Sequence, residues 1–106
     1  MVAEYERVCK VDDIPDGTAR AFPVGEHSIL IANQDGEYFA IDNVCSHDGG
    51  DLGDGTLVDG QVECPRHGAR FDIRTGEAVR MPAVVEVDSY PVKIENGNIF
   101  VEKPED

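Results

Sequence analysis

Basic residues are scarce in this chain. Nine lysines and arginines stand against 22 aspartates and glutamates, a formal charge of −13 over 106 residues. A surface of that sign repels a phosphate backbone, which argues against nucleic-acid binding. No stretch approaches the ~20 consecutive apolar residues that a membrane-spanning helix needs. The first ten residues carry Glu4, Glu6 and Arg7 and lack the apolar centre of a secretion signal. No membrane association is expected, and a cytoplasmic location is the default. Three cysteines are too few, and odd in number, for a disulfide framework. Long helical periodicity is missing too. A chain of 106 residues has room for one domain with one modest core. That suits a carrier better than an enzyme housing both a cofactor and a substrate pocket.

What is present reads as β-structure. Short runs rich in Val and Ile alternate with Gly, Asp and Asn, and a hydrophobic content of 41 % argues against disorder. Residues 28–32 and 38–41 flank Asn33-Gln34-Asp35-Gly36, a hairpin loop. Residues 92–95 and 98–102 flank Asn96-Gly97, the strongest short hairpin signal because both turn residues need φ > 0. A third hairpin is predicted around Asp59-Gly60, ending at Cys64, and a further turn at Arg74-Thr75-Gly76. Residues 11–14 are predicted to form one helical turn. The segment 48–60 is dense in Gly and Asp and reads as irregular loop. The acidic charge either steers the protein toward basic faces of partners or simply keeps it in solution; charge alone does not choose.

Chemistry is concentrated in two short motifs. Cys45-Ser46-His47 and Cys64-Pro65-Arg66-His67 each combine a thiolate donor with an imidazole beside turn-forming residues. Two such loops brought together offer two sulfur and two nitrogen ligands, the donor set of a [2Fe–2S] centre in which two histidines replace two cysteines on one iron. An x or x-x spacer at a tight bend splays two side chains toward two metal ions, and the glycines let backbone N–H groups approach the sulfides. A single tetrahedral zinc is the bland alternative for Cys45, His47, Cys64 and His67. Common zinc fingers, however, pair Cys with Cys and His with His, and here each pair is mixed. His27 reads as a surface histidine at a strand entry and Cys9 as a structural thiol. Met81 and Phe71 either pack near the cluster and exclude water or serve as ordinary core residues. Arg66 and Arg70 either face a partner or form salt bridges within the chain.

The paired motifs resemble the Rieske signature. The stretch Cys64-Pro65-Arg66-His67-Gly68-Ala69-Arg70-Phe71-Asp72, with Thr75-Gly76, Met81-Pro82-Ala83, Tyr90-Pro91-Val92 and Asn96-Gly97, is similar to Rieske ferredoxins of multicomponent bacterial oxygenases. That resemblance implies an all-β Rieske fold of stacked small antiparallel sheets, one domain over 1–106 with a cluster-binding subdomain at about 43–83. It implies one Rieske-type [2Fe–2S] cluster per chain. Cys45 and Cys64 would bind the inner iron, His47 and His67 the outer iron near solvent, and the Pro82 segment would form a third, covering loop. The implied role is that of a monomeric carrier, not itself an enzyme, taking electrons from an NAD(P)H-dependent flavoprotein reductase to a terminal oxygenase. The alternatives are the small subunit of an NAD(P)H nitrite reductase, many of which lack the ligands that are all present here, or a Rieske redox protein of another pathway. An oxygenase large subunit is excluded, since only His27 is left to build its mononuclear iron site. Rieske proteins of cytochrome bc complexes join the two loops by a disulfide, and here Gly50 and Arg66 occupy those positions. Ala69 and Phe71 stand where those proteins place hydroxyl donors to sulfur, so the expected potential is low in the Rieske range, on the order of −150 mV.

Overall fold

The computed structural model describes residues 4–46, 49–53, 56–65, 68–83 and 85–104. Among the described residues, eleven strands run in the order β1 (Tyr5–Lys10), β2 (Ala19–Val24), β3 (His27–Gln34), β4 (Glu37–Asp42), β5 (Thr56–Val58), β6 (Gln61–Glu63), β7 (Arg70–Asp72), β8 (Ala78–Arg80), β9 (Ser89–Tyr90), β10 (Val92–Glu95) and β11 (Asn98–Glu102). A 3-10 turn at Val11–Asp13 meets the predicted single turn. All strand pairs are antiparallel and fall into three sheets, β1-β11-β10, β2-β3-β4-β9 and β5-β6-β7-β8. The chain is all-β, as its short turn-bounded runs require.

Local turn chemistry sets the hairpins. Asp35-Gly36, Asp59-Gly60 and Asn96-Gly97 each place two consecutive residues at positive φ, which closes a two-residue turn matched to strand twist. The first of these is shorter than the sequence predicts. β3 continues through Asn33 and Gln34 rather than ending before them, because Asn33 is buried and used. Its amide nitrogen donates to the Ile14 carbonyl at 2.8 Å, and its side-chain oxygen accepts from the Gly36 N–H at 3.0 Å.

The β2-β3-β4-β9 sheet is the middle layer. Its alternating side chains feed two separate cores, since neighbours along a strand point to opposite faces. Ile29, Ile31 and Ala40 join Cys9, Ile14, Val24, Ile99 and Val101 on one side. Leu30, Ala32 and Ile41 join Cys45, Leu52, Val62, Cys64, Ala69 and Phe71 on the other. Burial on both faces explains the unbroken apolar run Ile29-Leu30-Ile31-Ala32.

The middle sheet also anchors the loop that follows β4. Asn43 is buried; its N–H donates to the Ser28 carbonyl, its amide nitrogen to the Ser28 hydroxyl at 3.0 Å, and its side-chain oxygen accepts from the Leu52 N–H at 2.9 Å. Asn43→Ala strands the Leu52 N–H without an acceptor. The expected loss is about 1–3 kcal/mol of stability, read as a lower urea midpoint with unchanged m-value. A midpoint equal to wild type would show that the bond network is not what holds this loop.

Candidate cluster-binding site

Two of the four predicted ligands lie within the described residues. Cys45 follows β4 and Cys64 follows β6, at 0 % and 1 % exposure, and both belong to the same buried cluster with Leu52, Val62, Ala69, Phe71 and Ala83. His47, His67 and Arg66 lie outside the described residues.

The two loops share one backbone frame. In the first, the Cys45 N–H donates to the Gly50 carbonyl at 2.7 Å and the Gly49 N–H returns to the Cys45 carbonyl at 2.7 Å. In the second, the Cys64 N–H donates to the Ala69 carbonyl at 2.7 Å and the Gly68 N–H returns to the Cys64 carbonyl at 3.1 Å. The closing residue, four after each cysteine, has φ +75° at Gly49 and +76° at Gly68, a conformation that L side chains resist. Each cysteine is therefore held at the mouth of a matched tight loop. The sequence carries this equivalence in the Cys-to-Gly spacing, although the Cys-to-His spacings differ by one.

A third segment closes over the first loop. The Ser46 hydroxyl donates to the Val85 carbonyl, Ala83 is buried in the cysteine-bearing core, and the Val87 N–H donates to the Gly76 carbonyl at 2.8 Å. Ser46, Asn43 and Gly76 are positioning residues to which the sequence gives no such role. By sequence Ser46 is only a spacer between two donors and Gly76 only a turn residue, and Asn43 carries no signal. Met81 differs from expectation: its side chain is 72 % exposed, so it does not pack inward, while Phe71 is fully buried. Arg70 resolves toward the internal option, with its Nε 2.9 Å from Glu63 Oε1, the oxygen that Arg80 also approaches at 3.4 Å. Glu63 directly precedes Cys64, so the pair braces the second loop at its base.

Cys9 sits in the other core, where burial first and the nearby Asp13 carboxylate second push its thiol up to about 11. It is an inert thiol, remote in packing from Cys45 and Cys64. His27 opens β3 opposite Val24, at the expected strand entry.

The donor set fits a cluster with mixed ligands. Two thiols in one apolar, water-poor core suit soft ligation to iron. The positions lining them, Ala69 and Phe71, carry no hydroxyl.

Residues 4–91 match the family of the Rieske [2Fe-2S] domain. The chain is 42 % identical over 95 residues to the 3-phenylpropionate/cinnamic acid dioxygenase ferredoxin subunit of Photorhabdus laumondii, covering 89 % of this chain and 90 % of that one. Its fold is similar to the ferredoxin of carbazole 1,9a-dioxygenase from Nocardioides aromaticivorans, with TM-score 0.91 and 31 % identity over 94 % of this chain and 98 % of the other. It is also similar to a chain in the complex of reduced oxygenase and oxidized ferredoxin in carbazole 1,9a-dioxygenase, with TM-score 0.86 and 28 % identity over 96 % and 97 % of the two chains.

Proposed function

The chain belongs to the Rieske [2Fe-2S] domain family, and from that premise we propose that it is the ferredoxin component of an aromatic-ring dioxygenase system, with Cys45, His47, Cys64 and His67 as cluster ligands. Its cofactor is a Rieske-type [2Fe–2S] cluster, which when bound takes up and releases one electron at a time. The observation that carries the ligand assignment is the matched pair of loops that present Cys45 and Cys64 to one buried core.

Each residue has a part in that role. Cys45 and Cys64, buried together in one apolar core, would hold one iron through their sulfurs. His47 and His67 would hold the other iron, through neutral imidazole nitrogens. Ser46, through Val85, fastens the covering segment over the first loop. Ala69 and Phe71, which carry no hydroxyl, would offer a bound cluster's sulfur no side-chain hydrogen bond, and that would disfavour its reduced, more negative state. Electrons arrive from an NAD(P)H-dependent flavoprotein reductase and pass to a terminal oxygenase.

Reconstitution tests the role. The Photorhabdus laumondii 3-phenylpropionate/cinnamic acid dioxygenase, supplied with its reductase and without its ferredoxin subunit, is expected to oxidise substrate when this protein is added. A protein that carries the cluster but leaves both this system and other reductase–oxygenase pairs idle belongs to another pathway. The potential is a second test. Ala69→Ser is expected to raise the midpoint, by about 59 mV for each tenfold preference for the reduced state that the new hydroxyl creates. A midpoint unmoved by Ala69→Ser and by Phe71→Tyr would remove the hydrogen-bond argument.

A further inference from the structure

We propose that the groove between β8 and the third loop seats a lysine or arginine side chain of the redox partner and so selects where that partner docks. The inference rests on the electron-carrier reading above. The groove, of about 410 Å³, is lined by Glu77, Ala78, Val85 and Glu86. Its walls thus pair two exposed carboxylates with two apolar side chains. A lysine or arginine has the matching shape, an aliphatic stem to lie on Ala78 and Val85 and a cationic head to meet Glu77 and Glu86.

Three observations favour a partner there. First, the groove adjoins the first cluster loop, because the Ser46 hydroxyl donates to the Val85 carbonyl. A cation seated in it brings its owner against the cluster end of the molecule. Second, three of the five exposed large apolar side chains among the described residues fall in the segments that wall the groove: Val79 on β8, Met81 directly after it and Val85 in the third loop, exposed by 41 %, 72 % and 59 %. Exposed apolar surface of this kind marks interaction sites. Third, the basic side chains nearest in the sheet are committed elsewhere, Arg70 and Arg80 both to Glu63. Charge also excludes one occupant. A second copy of this chain would bring −13 against −13, so the seat suits a basic protein face and not self-association.

The test uses the cluster-loaded protein, reduced with dithionite, and ferricytochrome c as a basic acceptor whose haem edge is ringed by lysines. Glu77→Gln/Glu86→Gln is expected to slow electron transfer at low salt at least fivefold and to flatten its salt dependence. The distal pair Glu95→Gln/Glu102→Gln, which removes the same charge from the β1-β11-β10 sheet, is expected to change the rate less than twofold. Equal slowing by both pairs, or none by the groove pair, overturns the proposal. Carbodiimide coupling followed by peptide mapping supplies an independent readout: links to cytochrome lysines are expected at Glu77 or Glu86, and links confined to other carboxylates refute the seat. Ferricyanide separates this failure from failure of the underlying reading. Wild-type protein that passes no electron to ferricyanide is not a carrier, whereas groove variants that still reduce ferricyanide but show wild-type rates with cytochrome c sink the docking seat alone.

Discussion

Cys64→Ala is expected to give a colourless protein, with iron and acid-labile sulfide near zero per chain. The same result is expected for Cys45→Ala. On the proposed assignment each cysteine is a soft ligand as well as a fully buried side chain, and an alanine would offer iron nothing in an apolar core. The third cysteine cannot substitute. Cys9 lies in the opposite core, across the middle sheet, and its raised thiol pKa keeps it protonated near neutrality. Cys9→Ala should therefore keep its full chromophore, which makes it the control. His47→Ala and His67→Ala should each abolish or shift the visible spectrum, because on the proposed assignment each variant removes one of the two imidazole ligands. Because ligand binding adds to folding free energy, the cysteine variants should also melt earlier than the loaded wild type. Retention of an unaltered spectrum by Cys45→Ala or Cys64→Ala would place the iron ligands elsewhere.

Gly76→Ala is expected to be the most damaging substitution outside the ligands. A Cβ on Gly76 would lie 1.9 Å from the Val87 carbonyl oxygen, and the residue also has φ +78°. The two costs can be separated by comparison. Gly36, Gly60 and Gly97 have similar positive φ, at +85°, +77° and +75°, but open space where a Cβ would go. Alanine at those turns should cost about 1 kcal/mol, the backbone penalty alone. At Gly76 the clash is with backbone, which cannot rotate away. The Val87–Gly76 hydrogen bond and the covering segment that depends on it must move. A loss of about 3 kcal/mol or more follows, equivalent to roughly 10–20 °C in melting temperature for a domain of this size. Faster cluster loss in air should accompany it, since the segment tied to Ser46 no longer lies flat. If Gly76→Ala proves no worse than Gly36→Ala, the close approach is not what pins the third loop.

The features that were legible in advance share a short range. Asn96-Gly97 and Asp59-Gly60 declare their turns because φ > 0 is a property of two residues. Cys45-Ser46-His47 and Cys64-Pro65-Arg66-His67 offer a mixed donor set by residue type and spacing; of the four proposed ligands, Cys45 and Cys64 lie among the described residues and share one core. The buried uses of asparagine were not legible. Asn33 looked like part of a loop, and its burial depends on Ile14, which lies 19 positions away. Met81 looked like core material by its chemistry and proves exposed.

The amino-acid order by itself determined the all-β class and the hairpin positions, consequences of local backbone preference, and its donor chemistry is what the proposed ligand assignment starts from. Tertiary structure alone decided that β3 divides its side chains between two cores, that both cysteines enter the same one, and that Gly76 must pass beneath Val87. Those outcomes depend on which distant segments come into contact. That is set by the packing of three sheets against one another, a property that no short window of sequence contains.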